Sequence, residues 1–239
     1  MATALEISNL SFSYPDGRQA LGGVTFSLRA GEKVAILGPN GAGKSTLLLH
    51  LNGLLHGNGD VSVMGNRVVE DDKETLGLIR SLVGLVFQDP DDQLFSPTVY
   101  DDVAFGPIYM GLPQDEIDDR VLHALSLVGL DGYADRMPFH LSGGEKKRAA
   151  IATVLSMNPQ VLVLDEPSAG LDPRARRGLI TLLDRLDQTI LVTTHDLHMV
   201  KEILPRSIIM DGGAVVADGP TEEILSDQAL LESHGLEMP

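Results

Sequence analysis

The sequence predicts an α/β fold in which a mostly parallel sheet has helices on both faces. Three observations support this prediction. Short apolar segments of strand length alternate along the chain with segments of helical periodicity. A glycine-rich loop joins one of these strands directly to a helix. Hydrophobic residues make up 43% of the 239 residues, which is enough for a packed core.

The predicted elements follow in chain order. Strand candidates are rich in β-branched or apolar residues and are bounded by turn residues; they lie at 5–14, 24–28, 33–37, 61–64, 83–87, 161–164, 189–193 and 207–210. Helix candidates repeat apolar residues every three or four positions or begin at a capping residue; they lie at 44–55, 114–128, 144–157, 173–186 and 221–226. The Pro15-Asp16-Gly17 turn and the Asp211-Gly212-Gly213 hairpin signal add antiparallel pieces. We expect the last ~20 residues to form a loosely held tail after the short helix.

Composition excludes several classes of protein. The chain has 34 acidic and 18 basic residues, so its net charge of −16 opposes nucleic-acid binding through a broad basic surface. It has no Cys, which excludes disulfides and any cysteine–zinc or iron–sulfur site built from this chain alone. No apolar run reaches ~18 residues and the N-terminus lacks a signal-peptide pattern. We therefore expect a cytosolic protein whose membrane role, if any, depends on a partner.

The glycine-rich loop predicts a phosphate site. Gly38-Pro39-Asn40-Gly41-Ala42-Gly43-Lys44-Ser45-Thr46 fits the pattern G-x-x-x-x-G-K-[ST] and lies between a buried strand and a helix, as that chemistry requires. Glycines let backbone N–H groups turn towards a β-phosphate, and the helix N-terminus adds partial positive charge. Lys44 is predicted to reach the β- and γ-phosphates, and Ser45 to bind Mg²⁺ through its hydroxyl.

A second acidic motif follows another strand. Val161-Leu162-Val163-Leu164 ends in Asp165 and Glu166. A strand-end Asp near a phosphate loop is placed to hold Mg²⁺, directly or through water. Glu166 is placed to polarise a water for in-line attack on a γ-phosphate.

Leu141-Ser142-Gly143-Gly144-Glu145, about twenty residues before Asp165, resembles the signature LSGGQ of the ATP-binding-cassette (ABC) family. With the two nucleotide motifs, the chain is similar to an ABC ATPase over its whole length. Tyr14 then resembles the aromatic residue that stacks on adenine, Gln88 the Q-loop glutamine, Ser168–Asp172 the D-loop, and His195 the switch histidine.

The resemblance implies a P-loop ABC cassette with a mostly parallel core, an antiparallel β lobe and a helical lobe. It implies one domain over 1–239, with a core at about 1–88 and 155–215, a helical lobe at about 89–154 and a C-terminal tail at about 216–239. The family works as a dimer that sandwiches two ATP molecules between the phosphate loop of one subunit and the signature of the other.

The same resemblance assigns the site residues. The implied catalytic residues are Glu166, His195, Gln88 and Lys44. The implied ATP-binding residues are Tyr14, Asn40, Gly41, Ala42, Gly43, Lys44, Ser45, Thr46, Asp172 and, across the dimer interface, Ser142, Gly143 and Gly144. The implied Mg²⁺ ligands are Ser45, Gln88 and Asp165.

Glu145 stands where the family usually has Gln. Ser142-x-x-Glu145 is also a capping-box pattern, so Glu145 can serve simply as a helix cap. Alternatively, its carboxylate could weaken closure of the dimer around the triphosphate. We favour the capping role. Asp172, before Pro173, similarly has the features of both an N-cap and a D-loop residue.

The type of ABC protein is indicated by two segments. Residues 87–107 and the ending 230–239 resemble the ATPase subunits of energy-coupling-factor importers, especially the cobalt and nickel branch. Such importers pair two ATPase subunits, identical or related, with an integral membrane scaffold and a substrate-capture protein, at the cytoplasmic face of the membrane. A vitamin importer of the same type and a soluble ABC ATPase without a transport role, such as a cluster-assembly partner, remain alternatives.

The negative charge is concentrated in one region. Residues 60–140 hold 16 acidic and 5 basic residues, and 89–119 hold nine acidic residues and neither Lys nor Arg. Asp91, Asp92, Asp101 and Asp102 could dock basic cytoplasmic helices of the scaffold, or the acids could serve solubility alone. The basic runs, Lys146–Arg148 and Arg174, Arg176 and Arg177, are expected to be solvated helix faces.

Overall fold

The computed structural model describes residues 2–237 and contains two sheets. Their strands are β1 (Thr3–Ser13), β2 (Gln19–Arg29), β3 (Lys33–Leu37), β4 (Asn58–Val63), β5 (Asn66–Arg67), β6 (Val83–Val86), β7 (Val161–Asp165), β8 (Thr189–Thr193), β9 (Arg206–Asp211) and β10 (Ala214–Pro220). The helices are α1 (Lys44–Leu51), α2 (Lys73–Leu82), α3 (Val99–Tyr109), α4 (Gln114–Leu127), α5 (Gly143–Leu155), α6 (Pro173–Arg185), α7 (Leu197–Ile203), α8 (Thr221–Ser226) and α9 (Gln228–Ser233).

The larger sheet has six strands in the order β10-β9-β3-β8-β7-β6. All neighbouring pairs are parallel except β9 and β10, which form an antiparallel hairpin across Gly212-Gly213. β3, β7 and β8 are almost fully buried, as expected of central parallel strands covered on both faces. This order places the ends of β3, β7 and β8, and the loops that follow them, side by side.

The smaller sheet is antiparallel, in the order β2-β1-β4-β5. The turn predicted at Pro15-Asp16-Gly17 joins β1 to β2, and Asp16 accepts a hydrogen bond from the backbone N–H of Arg18. The apolar faces of β1 and β2 pack with α1 and with one face of β3 in a common hydrophobic cluster. The predicted combination of a mainly parallel core and an antiparallel sheet is therefore confirmed.

Helices α3, α4 and α5 pack against one another on the other side of the parallel sheet. The predicted helices at 114–128, 144–157 and 173–186 are confirmed to within two residues at each end. The division of the chain at about residues 89 and 154 stays a prediction.

Besides the short α7 and α9, two longer helices, α2 and α3, were not among the helices predicted from the sequence. Each begins at a capping side chain: Asp72 accepts from the backbone N–H groups of Glu74 and Thr75, and Thr98 accepts from that of Asp101. α3 contains Gly106 and Pro107, which disfavour a helix locally. Packing overrides that preference, since Val99, Val103 and Ala104 are fully buried.

The predicted helix at 44–55 ends four residues early, at Leu51. Asn52-Gly53 terminates it: Gly53 has φ +66°, and the N–H groups of Leu54 and Leu55 both bond back to the carbonyl of Leu49. Leu54 is consequently 48% exposed rather than part of the buried face.

The segment beyond residue 216, expected to be loosely held, begins inside β10. α8 occurs where predicted, and α9 follows it, with Leu231 and Leu236 buried. Met238 and Pro239, the last residues of the stretch that resembles importer ATPases, lie outside the described residues. Between residues 2 and 237, no helix is long and apolar enough to cross a membrane.

Candidate functional site

The phosphate loop occupies residues 38–43, between the end of β3 and the start of α1. Gly38 has φ +147° and Gly43 φ +96°, conformations that L side chains rarely adopt. A Cβ on Gly38 would lie 2.0 Å from the carbonyl oxygen of Met210, and one on Gly43 would lie 2.4 Å from that of Ala20. The loop is thus enclosed by backbone from β9 and β2, and glycine is required at both positions for conformation and for space.

Lys44 is folded back over this loop. Its Nζ donates hydrogen bonds to the carbonyl oxygens of Gly38, at 2.6 Å, and Pro39, at 3.0 Å. Burial lowers the pKa of the amine, and the nearby carboxylates of Glu166 and Asp165 partly offset that effect. A phosphate group entering the loop would offer this amine a charged partner in place of two neutral carbonyls.

Tyr14 follows β1 and is attached to the first turn of α1. Its hydroxyl and that of Thr46 are 2.9 Å apart, and the Arg18 guanidinium lies 4.9 Å from the centre of its ring. The aromatic ring is therefore held at the edge of the phosphate loop. A planar base could stack there while its phosphates reached the loop.

The two acidic residues of the second motif differ in environment. Thr193 of the adjacent strand donates a hydrogen bond to Asp165 Oδ1, which orients this carboxylate at the end of β7. Glu166 begins the following turn with φ +44°, a strained conformation for a residue with a side chain. Its backbone N–H bonds to the Thr193 carbonyl at 3.0 Å, which holds the turn against β8.

His195 lies directly opposite Glu166. The distance from His195 Nε2 to Glu166 Oε1 is 3.2 Å, and the backbone N–H of His195 donates to Glu166 Oε2 at 3.1 Å. The Glu166 side chain is 12% exposed and that of His195 is 47% exposed. A carboxylate and an imidazole thus meet at the rim of the phosphate loop, an arrangement suited to holding and polarising a water molecule.

One cavity brings most of the predicted nucleotide residues together. Its lining includes Tyr14, Asn40, Gly41, Ala42, Gly43, Lys44, Ser45, Thr46, Gln88, Asp165, Glu166 and His195. The predicted Mg²⁺ ligands, Ser45, Gln88 and Asp165, are all among them, and each has a side-chain oxygen that can ligate a metal ion. No group of three or more His, Asp or Glu side chains within residues 2–237 is arranged to hold a metal by itself.

The signature residues Ser142, Gly143 and Gly144 and the D-loop residue Asp172 do not line this cavity. Gly143 is open, since a Cβ placed on it would meet nothing within 4 Å, whereas a Cβ on Gly144 would lie 3.1 Å from the Cβ of Ala175. The small size of Gly144 is thus explained by packing inside the chain. Asp172 accepts hydrogen bonds from the backbone N–H groups of Arg174 and Ala175, which confirms that it caps α6.

Glu145 forms the predicted capping box. Its Oε2 accepts from the backbone N–H of Ser142 at 2.8 Å and from the Ser142 hydroxyl at 2.7 Å, and its Oε1 accepts from the Tyr133 hydroxyl at 2.7 Å. The bond from Tyr133 and those from Ser142 lower the pKa of Glu145 from 4.5 to about 2. The carboxylate is turned back onto its own helix, which supports the capping role.

The expectation that Lys146, Lys147 and Arg148 on α5 are solvated is wrong, because all three side chains are half-buried. Lys147 Nζ donates to the carbonyl oxygen of Glu166 at 3.2 Å, and burial lowers its pKa. Lys146 forms a 2.6 Å ion pair with Asp91. The signature helix is therefore bonded directly to the turn that contains Glu166, a contact that the sequence does not reveal because the partner is a backbone carbonyl.

The acidic residues predicted to dock the scaffold differ in how exposed and how strongly bonded their carboxylates are. Asp102 is 2% exposed, and its carboxylate accepts from the backbone N–H groups of Phe95 and Ser96, so its predicted role in docking is wrong. Asp91 is engaged by Lys146, while Asp92 faces an open groove. Both donors bond to Oδ1, whereas Oδ2 of Asp102 is buried without a hydrogen-bond partner, so only one of the two carboxylate oxygens is compensated.

Gln93 is a residue that motif analysis missed. Its amide donates to the Ala150 carbonyl at 3.0 Å and to the Thr153 hydroxyl at 2.7 Å, and its oxygen accepts from the backbone N–H of Phe87. It therefore joins the segment containing Gln88 to the middle of α5. The only sequence signal was a polar residue between acidic and apolar neighbours, which is too common to interpret.

Comparisons with known proteins agree with this geometry. The family model described as ABC transporter matches residues 21–169. The energy-coupling factor transporter ATP-binding protein EcfA of Methanothermobacter thermautotrophicus is 48% identical over 239 residues, covering 98% of this chain and 76% of its own.

Two solved structures are also similar. CbiO1 from Clostridium perfringens, described as part of the ABC transporter complex cbiONQ, is 39% identical with a TM-score of 0.85, over 98% of this chain and 94% of its own. The dimeric cassette MJ0796 bound to ADP and Pi is 29% identical with a TM-score of 0.82, over 91% of this chain and 98% of its own. Since the family model spans more than half of the chain and the relatives align over nearly all of it, this chain belongs to the ABC transporter family and is an ATP-binding subunit that hydrolyses ATP.

Proposed function

We propose that the chain is the ATPase subunit of an energy-coupling-factor importer and that it hydrolyses ATP as a sandwich dimer. The observation that carries the proposal is the arrangement of Glu166 and His195, 3.2 Å apart beside the phosphate loop, while Gly143 of the signature lies open to solvent outside that cavity. A second subunit would bring its signature over the phosphate loop of the first. The dimeric state of MJ0796 supports this arrangement.

In the proposed complex, Tyr14 stacks on adenine and the backbone of residues 40–46 surrounds the α- and β-phosphates. Lys44 leaves the carbonyl oxygens of Gly38 and Pro39 to bind the β- and γ-phosphates. Ser142, Gly143 and Gly144 of the partner copy complete the γ-phosphate site with the N-terminus of α5. Asp172, already fixed as the cap of α6, lies at the dimer interface.

Ser45, Gln88 and Asp165 would hold Mg²⁺ together with the phosphates. Oxygen donors suit this ion, and Thr193 fixes one carboxylate oxygen of Asp165 in place. When bound, Mg²⁺ would neutralise charge on the β- and γ-phosphate oxygens.

Hydrolysis in this proposal begins with Glu166. Its carboxylate accepts a proton from a water whose oxygen forms a bond to the γ-phosphorus, as the bond to the β–γ bridging oxygen breaks to yield ADP and phosphate. His195, whose backbone N–H donates to Glu166 and whose Nε2 lies 3.2 Å from Glu166 Oε1, contacts the γ-phosphate and the water. Release of the phosphate would then allow the dimer to reopen.

The membrane partners would dock at a groove between α3 and β6. This groove has a volume of about 440 Å³ and is lined mainly by apolar and aromatic side chains, including Phe95, Phe105 and Tyr109; Asp92 and Arg80 are among its charged lining residues. Phe95 is 68% exposed and Tyr109 is 74% exposed, which is unusually high for large aromatic side chains. An amphipathic scaffold helix with apolar anchors and basic flanks fits this groove, at the cytoplasmic face of the membrane.

We propose cobalt or nickel ions as the substrate class, on the strength of the resemblance of residues 87–107 to that branch of the importers. The test is co-expression with the membrane subunits and measurement of ATP-dependent uptake of Co²⁺, Ni²⁺ and vitamins. Uptake of a vitamin but of neither metal ion would replace cobalt and nickel with that vitamin as the proposed substrate. Failure of the chain to co-purify with any membrane protein would favour an ATPase without a transport role.

The catalytic proposal is tested by Glu166→Gln. This variant should bind ATP and accumulate as a dimer because the water is no longer deprotonated, which size-exclusion chromatography with and without ATP would detect. Normal turnover would remove Glu166 from the mechanism.

The docking proposal is tested by Phe105→Ser and Asp92→Lys, with Leu122→Ser as the matched control because Leu122 is 60% exposed on α4, outside the groove. The first two should weaken assembly with the scaffold and leave ATPase activity of the free subunit unchanged. If Phe105→Ser and Asp92→Lys assembled with the scaffold as well as Leu122→Ser and wild type do, the scaffold would have to dock elsewhere.

A further inference from the structure

An ion pair between α6 and the residue after His195 has no place in the mechanism above. Arg176 was expected to be one of three solvated arginines, but its Nε and Nη2 donate to the two carboxylate oxygens of Asp196. The side chains are 30% and 14% exposed, whereas Arg174 and Arg177 are exposed. Bidentate pairing of a half-buried guanidinium fixes both groups in one orientation.

Asp196 in turn fixes the backbone next to His195. Its Oδ1 also accepts from the backbone N–H of Met199 at 3.1 Å, so it caps α7, and its own N–H donates to the Thr194 hydroxyl at 3.0 Å. Burial raises the pKa of Asp196, but the bonds from Arg176 and Met199 outweigh this effect and keep the pKa below its ordinary value. The carboxylate is therefore ionised and committed to these partners at neutral pH.

The other end of the ion pair belongs to the first turn of α6, which Asp172 caps. That turn also touches the signature helix, since Ala175 lies against Gly144. Arg176 thus lies between the signature helix, which would contact the ATP bound by a partner subunit, and His195, which would contact the ATP bound by its own subunit.

We infer that Arg176 is a positioning residue, which holds His195 against Glu166 by fixing Asp196 in a bidentate ion pair. The inference rests on the role proposed for His195. Arg176 itself does not line the nucleotide cavity, so it acts through its neighbour. Its loss should therefore slow turnover without weakening ATP binding.

The alternative is a structural role only, in which the pair stabilises the packing of α6 on α7. Double variants separate the two. If Arg176 acts through His195, Arg176→Ala should cost turnover in the wild-type background but nothing further in a His195→Ala background, because the group that it positions is already absent. A structural role would add its own loss in both backgrounds.

The experiment measures kcat and KM for ATP in four purified proteins: wild type, Arg176→Ala, His195→Ala and the double variant. Arg177→Ala is the matched control, because Arg177 follows Arg176 on the same helix and is exposed. We expect Arg176→Ala to lower kcat about tenfold, as displaced catalytic groups do, with KM changed less than about twofold. Arg177→Ala should behave as wild type, and the double variant should match His195→Ala.

Two further variants guard against misfolding. Arg176→Lys keeps the charge but not the bidentate geometry, and Asp196→Asn keeps a capping side chain but weakens the ion pair. Both should show an intermediate loss of kcat with a melting temperature near that of wild type. An unchanged kcat in Arg176→Ala or Arg176→Lys, or losses that multiply in the double variant, would overturn the inference. Wild-type turnover by His195→Ala would instead refute the role proposed for His195.

Discussion

Replacing Glu145 with the usual glutamine tests why this chain departs from its family. The carboxylate accepts three hydrogen bonds, two from Ser142 and one from Tyr133. In Glu145→Gln, the amide oxygen can accept both bonds from Ser142, and the amide NH₂ can donate to the Tyr133 oxygen. All partners are therefore kept, and the substitution removes only the negative charge that strengthens the bonds.

The size of the effect follows from the pKa. The pKa of Glu145 is lowered from 4.5 to about 2, which corresponds to about 3 kcal/mol of preference for the ionised form. The side chain is only half-buried, so solvent screening reduces the expected contribution to about 1 kcal/mol. In a chain of this length, about 1 kcal/mol lowers the melting temperature by about 2–4 °C.

The pH dependence has a definite sign. The pKa is lower in the folded protein, so the stabilisation is complete above the ordinary value of 4.5 and is lost as the pH falls from there towards about 2. Wild type should therefore melt above Glu145→Gln at pH 7, and the difference should shrink between pH 5 and pH 3. Glu145→Ala, which removes every bond to the side chain, should cost about 2 kcal/mol at pH 7.

The assay is thermal unfolding of the three proteins from pH 7 to pH 3, together with ATP-driven dimerisation in a Glu166→Gln background. We expect Glu145→Gln to dimerise as its parent does, since the carboxylate is turned back onto α5. A melting difference that does not change with pH would refute the electrostatic argument. Tighter ATP-driven dimerisation of Glu145→Gln would show that the carboxylate opposes closure.

Three further outcomes are expected. Lys44→Ala should lose ATP binding by calorimetry, because it removes the amine that lies over the phosphate loop, against the carbonyl oxygens of Gly38 and Pro39, and that would pair with the phosphates. Binding at wild-type affinity would contradict the phosphate role. Gly143→Ala should leave the melting temperature within about 2 °C of wild type, because no atom lies within 4 Å of the added Cβ, and should still abolish ATP-driven dimerisation; a variant that dimerises normally would place the signature away from the interface. Tyr14→Phe should keep most of the ATP affinity because stacking needs only the ring, whereas Tyr14→Ala should weaken it at least about fivefold; equal affinities would show that the base does not stack there.

Local chemistry explains what could be predicted from the sequence. The phosphate loop, the strand that ends in Asp165 and Glu166, and the cap at Asp172 each depend on residues that are neighbours in the chain. A glycine-rich loop, a helix N-terminus and an Asp before Pro173 need no distant partner to be recognised. The predicted central strands, such as 33–37 and 189–193, occur as expected because short runs of apolar and β-branched residues are typical of buried parallel strands.

The tertiary structure decided every feature whose partner lies far away in the chain. Asp102 resembled its acidic neighbours in the sequence, and only the packing of α3 with α4 and α5 left it buried. Arg176 looked like Arg174 and Arg177, and only the approach of α7 to α6 gave it Asp196 as a partner. Charge and periodicity describe a residue type and its local spacing, whereas burial and pairing depend on which surfaces meet. The sequence by itself therefore determined the chemistry available to this protein, and the packing of its helices on the parallel sheet decided which side chains are free to use it.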